Sequence, residues 1–170
     1  MTSEFSRMVD LRQITPAPLE LVATPAECAA LAKRFGLVAV ARLEATVTLV
    51  ANGDVVTASG RLRAAWTQSC AVSGEDLPQQ ADEALALRFV PASAPAISDI
   101  EVELSEDELD EIDYAGTSFD LGEAVAQSLA LAIDPFACGP DAEAARQAAG
   151  ILSEGAAGAF GALAGLKFKA

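Results

Sequence analysis

The sequence predicts an α+β fold, in which an antiparallel sheet (a meander built around a β-hairpin) is covered by two helices. Alternating apolar and polar residues flank Asn52-Gly53, and residues 25–35 and 120–134 combine capping residues with helical spacing of apolar side chains. Because an antiparallel sheet commonly buries only one face, we expect both helices to cover the apolar face of the hairpin.

The hairpin is the clearest pattern in the chain. Residues 43–49 alternate between apolar and polar types, as expected for a strand with one buried face. Asn-Gly favours a type I′ turn, because both central residues of that turn need a positive φ. We therefore predict a turn at Asn52-Gly53 with Leu49 opposite Val56, which places the apolar residues of both strands on one face.

The polar face of this hairpin carries three arginines. In the predicted register Arg61 lies opposite Glu44, and Arg42 lies opposite Arg63. Like charges across a sheet are unfavourable unless an anion lies between them, and a guanidinium binds phosphate with two parallel hydrogen bonds. Arg42, Arg61 and Arg63 are therefore candidate interaction residues, for RNA phosphate or for acidic groups of this chain, and the plainer interpretation is a solvated rim of salt bridges.

Both helices begin at recognisable caps. Thr24 is expected to cap the first helix, with Glu27 completing a capping box and Gly36 ending the helix. Asp120 is expected to cap the second, with Glu123 completing its box.

An acidic segment precedes the second helix. Residues 99–113 hold nine acidic residues and no basic one, whereas the rest of the chain has 16 acidic and 11 basic residues. Such a run is usually solvated or disordered, so we predict an acidic loop over residues 91–117. Its candidate interaction residues are Glu101, Glu103, Glu106, Asp107, Glu108 and Asp110.

The composition argues against catalysis and metal binding. The chain has no histidine, and its three cysteines, at positions 28, 70 and 138, form no close pair. The commonest general base and the usual zinc ligand sets are therefore missing. We predict no catalytic residue, no cofactor and no metal, and interpret Cys28 as a core residue and Cys70 and Cys138 as small apolar residues near loop ends.

Length and hydropathy suit one soluble domain. We predict that residues 1–137 form a single α+β domain and that residues 138–170 form an Ala/Gly-rich extension, flexible and partly disordered. The first residues lack the basic and apolar regions of a signal peptide, and no apolar run is long enough to span a bilayer. We therefore expect a cytoplasmic protein with no membrane partner.

The order of several short motifs resembles the YceD family over nearly the whole chain. These motifs are Glu4-Phe5-Ser6-Arg7, residues 31–37, Gly60-Arg61-Leu62-Arg63-Ala64 leading to Cys70, the acidic segment, Phe119-Asp120-Leu121-Gly122-Glu123 leading to Asp134-Pro135, and residues 160–167. The resemblance implies a bacterial factor needed for the synthesis, processing or stability of 23S ribosomal RNA. Many relatives have a second cysteine three residues after the one that matches Cys70, where this chain has Ser73.

The resemblance and the charge together favour a non-enzymatic ribosome-biogenesis factor that supports accumulation of the large subunit. The expected partner is a basic ribosomal protein or assembly factor of that subunit, because an acidic segment matches a surface rich in lysine and arginine. Direct contact with rRNA is disfavoured by the net charge of −14. The alternatives are an acidic protein–protein adaptor unrelated to RNA and a cofactor-free enzyme.

Overall fold

The computed structural model describes residues 3–92 and 111–150. In chain order, the elements of these residues are β1 (Met8–Asp10), a 3-10 helix (Leu11–Gln13), β2 (Leu19–Val22), α1 (Pro25–Phe35), β3 (Ala39–Asn52), β4 (Val55–Ser69), β5 (Asp76–Pro91), β6 (Glu111–Tyr114), β7 (Ser118–Asp120), α2 (Leu121–Ala132) and α3 (Ala142–Ala148). The predicted α+β class is confirmed.

The chain divides into two compact units. The first is formed by Met1–Gln68 and Pro78–Asp134, and the second by Ser69–Leu77 and Pro135–Ala170. Compactness does not establish independent folding, so the predicted domain boundary at residue 137 stays a prediction. The predicted disorder of the extension also stays a prediction, since residues 151–170 lie outside the described residues.

The main sheet has the strand order β2-β3-β4-β5-β6. β3 pairs with β4 in the antiparallel sense, as predicted, and it also pairs antiparallel with β2. β6 instead pairs parallel to β5, with Phe89 opposite Ile112. A parallel pair needs a crossover of a dozen or more residues, and residues 93–110 between the two strands are long enough to provide it.

The register of the hairpin differs from the prediction. Leu49 lies opposite Ala58, not Val56, and Asn52 pairs with Val55. The turn is therefore at Gly53-Asp54. Gly53 has a φ of 63°, and the described non-glycine residues all have negative φ. Only the first central residue of this turn needs a positive φ, as in a type II′ turn, and glycine provides it.

The predicted buried face of the hairpin is confirmed in spite of the changed register. Leu43, Val47 and Leu62 are at most 1% exposed, because a shift of two residues leaves every side chain on its original face. The same core contains residues of α1 and α2, including Leu31 and Leu129, so both helices cover this face. We estimate that each fully buried leucine contributes about 1.5–3 kcal/mol.

The cap of α1 is as predicted, and that of α2 differs in part. Thr24 Oγ1 accepts the N–H of Glu27, whose carboxylate accepts the N–H of Thr24, and Gly36 ends α1 with a φ of 66°. Asp120 Oδ1 accepts the N–H of Glu123 at 3.1 Å. The Glu123 carboxylate, however, binds the guanidinium of Arg34, so the predicted capping box of α2 is wrong.

The first strand of the chain is short. Only Met8–Asp10 is extended and paired, with Val9 opposite Phe119 of β7. The Asp10 side chain accepts the N–H of Arg12, and this cap starts the 3-10 helix.

The second unit has a small core of its own. Cys70, Leu77 and Ala142 are buried together, with Val72 and Ala137 packed against them. The helix α3 (Ala142–Ala148) contributes Ala142 to this core, so part of the Ala/Gly-rich extension is helical.

Candidate interaction surfaces

The three candidate arginines lie on the face of the main sheet opposite the core. Here they are called the arginine face: Arg42 on β3, and Arg61 and Arg63 on β4. Their side chains are about half exposed, at 52%, 55% and 56%. The structure therefore brings these predicted residues together on one accessible surface.

The cross-strand neighbours of these arginines differ from the prediction. Arg63, not Arg61, lies opposite Glu44, while Arg61 lies opposite Thr46 and Arg42 opposite Ala65. The pairing shifts by one residue between Val40 and Arg42. The predicted Arg42–Arg63 pair of like charges is therefore wrong, and no bridging anion is needed to explain its geometry.

Acidic residues of the same face already bind the arginines. Asp82 of β5 accepts a short hydrogen bond from Arg61 Nε and lies 3.6 Å from Arg63 Nε. Arg42 Nη1 lies 3.8 Å from Glu44 Oε2. The hydrogen bond from Arg61 is the main cause that lowers the pKa of Asp82. Glu20 of β2 lies opposite Thr46 and so shares this face. The three arginines therefore lie among three acids, and the face has no local surplus of positive charge.

The candidate residues of the acidic segment lie outside the described residues. These are Glu101, Glu103, Glu106, Asp107, Glu108 and Asp110. The end of the segment is described: Glu111 begins β6, and its Oε1 lies 3.1 Å from Arg88 Nε of β5. The one ion pair described for the segment is therefore with Arg88, which is not part of the arginine face as defined.

A second cluster of charges, which the sequence did not predict, joins the N-terminal segment to both helices. Arg7 forms two hydrogen bonds with Glu27, at 2.7 and 3.0 Å, and Arg34 contacts both Glu4 and Glu123. Arg7 holds the pKa of Glu27 at about 2 through its hydrogen bond. Every acid of this cluster has a cation partner, so the cluster stabilises the fold and leaves little charge for a ligand.

The three cysteines have different environments. Cys28 is 6% exposed in the main core, as predicted. Cys70 is also buried, but its Sγ accepts N–H groups of Val72, Ser73 and Gly139 at 3.3–3.5 Å. The Ser73 hydroxyl, followed by these backbone groups, lowers the pKa of the Cys70 thiol to about 6. Cys70 is thus a buried core residue, in keeping with the prediction, whose sulfur also accepts hydrogen bonds that the prediction did not include.

The environment of Cys138 differs from the expectation of a small apolar residue. This cysteine is exposed, and its Sγ lies 3.9 Å from Arg146 Nη2. Within residues 3–92 and 111–150, no group of three or more cysteine or carboxylate side chains is arranged to hold a metal ion.

Among the described helices, none is long and apolar enough to cross a membrane.

Comparison with known proteins identifies the family. A family model described as large ribosomal RNA subunit accumulation protein YceD matches residues 58–167, which is about two-thirds of the chain. Neither the curated proteins nor the solved structures gave a match. The match includes the arginines of β4, the acidic segment and α2, and with it the sequence resemblance is confirmed: this chain belongs to the YceD family.

Proposed function

We propose that this protein is a non-enzymatic, cytoplasmic factor of large-subunit biogenesis that supports the synthesis, processing or stability of 23S rRNA by binding a basic ribosomal protein or assembly factor. Membership of a family described by accumulation of the large ribosomal RNA subunit supports the process. The charge distribution supports the kind of partner.

The observation that carries the choice of partner is the pairing within the arginine face. Asp82 binds Arg61 and lies close to Arg63, and Glu44 lies near Arg42. A surface that attracts phosphate needs cations without nearby acids, because each paired acid cancels the field that an approaching phosphate meets. Because the arginine face has no surplus of positive charge and the net charge of the chain is −14, a protein partner rich in lysine and arginine is favoured over RNA.

The acidic segment is the complementary surface for such a partner. Nine of the 25 acidic residues of the chain lie in residues 99–113. A dense negative field accelerates encounter with a cationic protein and weakens as salt rises. Docking of the segment on the arginine face is less favoured, since Asp82 and Glu44 already occupy that face.

The experiment neutralises the segment. Glu101, Glu103, Glu106, Asp107, Glu108 and Asp110 are changed to Gln or Asn. The variant is expected to melt within a few degrees of the parent, because exposed charges contribute little stability. We expect its association with large-subunit precursors, measured by gradient co-sedimentation, to fall about tenfold at low salt and to lose most of its salt dependence.

A control neutralises five exposed acids elsewhere: Glu20, Asp54, Asp76, Asp141 and Glu143. It is compared with a segment variant in which Glu101 is kept and the other five acids are changed. The control is expected to co-sediment like the parent. If the two variants lose association equally, only net charge matters and the segment has no specific role. The alternative of an adaptor unrelated to RNA predicts two other results. The parent protein would not associate with precursors, and in a pull-down it would bind the same partners from nuclease-treated and untreated lysate.

A further inference from the structure

A groove lies between α2 and the strands β5 and β6. It consists of two adjoining hollows of about 380 and 310 Å³, which share Ile112, Ala124 and Gln127. Leu85 and Phe89 line it from β5 and are themselves buried. Each hollow has the size of a typical ligand cleft, and their continuity makes the groove long enough for a peptide segment.

Large exposed apolar side chains lie at both ends of this groove. Leu131 lines the first hollow and is 89% exposed, and Met8 lines the second and is 61% exposed. Leu131 lies off the buried stripe of α2, which includes Leu121, Val125 and Leu129, so the core of the fold does not require an apolar residue there. An apolar groove with exposed apolar ends is characteristic of a surface that binds another chain.

The charged residues that line the groove are all acidic. In the described part of the chain they are Glu83, Glu111, Asp113, Asp120 and Glu123. Arg88 pairs with Glu111, Arg34 pairs with Glu123, and Asp120 caps α2. Glu83 forms no ion pair with any described residue. Glu111 and Asp113 alternate with Ile112 along β6 and lie opposite Arg88 and Val90, so their side chains project from the other face of the sheet. The groove therefore offers apolar surface together with unpaired negative charge.

We propose that this groove binds a peptide segment rich in lysine and arginine that carries apolar anchor residues, supplied by the basic partner. The anchors pack between Ala124 and Leu85 and against Leu131, while the cations of the segment face Glu83. The source of the segment rests on the proposed function, but the binding chemistry does not. The acidic segment is continuous in sequence with Glu111 at the wall of the groove. The site of encounter and the site of docking would therefore be adjacent.

The test uses the full-length protein and a fluorescent 16-residue peptide of leucine and lysine in helical repeat as the probe. Binding is measured by anisotropy, and peptides with glutamate for lysine, or alanine for leucine, serve as ligand controls. We expect only the leucine–lysine peptide to bind. Leu131→Gln should weaken its binding about tenfold, since a leucine contact is lost. Glu83→Gln should weaken it about threefold at low salt and hardly at all at high salt.

Two matched variants control for the chemical change alone. Val50→Thr removes an apolar group from a half-exposed site on β3, and Glu20→Gln removes an exposed acid on β2. Both are expected to bind the probe within twofold of the parent. Equal loss in Leu131→Gln and Val50→Thr, or equal binding of the glutamate peptide, would overturn the groove assignment. Displacement of the probe by a peptide of residues 159–169 would assign the groove to this chain's own terminus instead.

The two proposals fail in different ways. If the probe binds in the groove but the parent protein does not co-sediment with large-subunit precursors, the proposed function fails and the groove remains. If Leu131→Gln co-sediments normally and binds the probe normally, the groove is excluded and the proposed function remains.

Discussion

Arg34 of α1 and Glu123 of α2 form a two-point ion pair, with Nη1 2.9 Å from Oε2 and Nη2 2.6 Å from Oε1. Ser3 donates a hydrogen bond to the same carboxylate, and Arg34 also contacts Glu4. The hydrogen bonds from Arg34 are the main cause that lowers the pKa of Glu123 to about 2 from 4.5. The pair thus ties the N-terminal segment to both helices in the first unit.

This ion pair predicts a particular dependence of stability on pH. A carboxyl group whose pKa is lower in the folded state stabilises the fold fully above its unfolded pKa, and that stabilisation is lost as pH falls through the folded pKa. We therefore expect Glu123→Gln to lower the free energy of unfolding by about 1–2 kcal/mol at pH 6. The difference from the parent should shrink steadily from about pH 5 to about pH 2. Urea unfolding at a series of pH values measures it.

The control for this prediction is Glu20→Gln, since Glu20 is exposed and has no ion pair with a described residue. Its stability should follow the parent at every pH. A Glu123→Gln deficit that stays constant down to pH 2 would show that the carboxylate charge contributes nothing and that only packing is lost.

Any side chain at position 60, where the protein has glycine, is predicted to destabilise the fold. Gly60 lies opposite Val47 in the centre of the hairpin. A Cβ at this position would lie 2.9 Å from the Cα of Val47 and closer still to the carbonyl oxygen of Thr46, and backbone atoms cannot move aside as a side-chain end can. We expect Gly60→Ala to destabilise the protein by about 2–4 kcal/mol. Ser59→Ala, at the neighbouring exposed position, is the control. Its free energy of unfolding, from thermal melts, should be within about 0.5 kcal/mol of that of the parent.

The turn of the hairpin gives a prediction that separates the observed register from the expected one. In the observed register Asn52 is a strand residue paired with Val55, and only Gly53 has a positive φ. Asn52→Thr should therefore be neutral or slightly stabilising, whereas Gly53→Ala should cost about 1–2 kcal/mol. In a type I′ turn both positions need a positive φ, so a similar cost for both substitutions would restore the register predicted from Asn-Gly.

The comparison of sequence and structure shows which signals are local. The alternation of residues 43–49 predicted the buried face, because alternation defines the face for every register that differs by two residues. It did not predict the register, since Gly53 can be either the second residue of one turn or the first of another. The capping box of α1 was predicted because Thr24 and Glu27 are three residues apart, so both hydrogen bonds of the box are local.

Long-range contacts account for what the sequence did not reveal. The arginine face was predicted from its residues, but Asp82 reaches it from β5, and no local pattern relates Asp82 to Arg61. Glu123 was expected to cap its own helix, and the competing partner, Arg34, comes from α1. The groove depends on the parallel pairing of β6 with β5, which follows a long connection in the chain. The sequence held one sign of the groove: Leu131 is an apolar residue that lies off the apolar stripe of α2.

The last prediction concerns the thiol of Cys70. Its Sγ accepts three backbone N–H groups, and the hydroxyl of Ser73 is the largest cause that lowers its pKa to about 6 from 9.0. In a protein with Cys28→Ala and Cys138→Ser, ultraviolet titration of the remaining thiol should therefore show thiolate forming near pH 6. Adding Ser73→Ala should move the midpoint upward, because the hydroxyl that stabilises the anion is lost.

The same thiol affects stability in a defined pH range. Because the folded state favours the thiolate, its contribution is complete above about pH 9 and disappears as pH falls to about 6. Cys70→Ala should therefore lose more stability at pH 9 than at pH 6, as measured by urea unfolding. Ser69→Ala, at an exposed neighbouring position, serves as the control and should leave both the titration midpoint and this difference unchanged. A midpoint near pH 9 in the parent would contradict this prediction, because it would show that the N–H groups around Cys70 bind a neutral thiol and do not favour the thiolate. The loss of stability in Cys70→Ala would then be the same at pH 6 and pH 9.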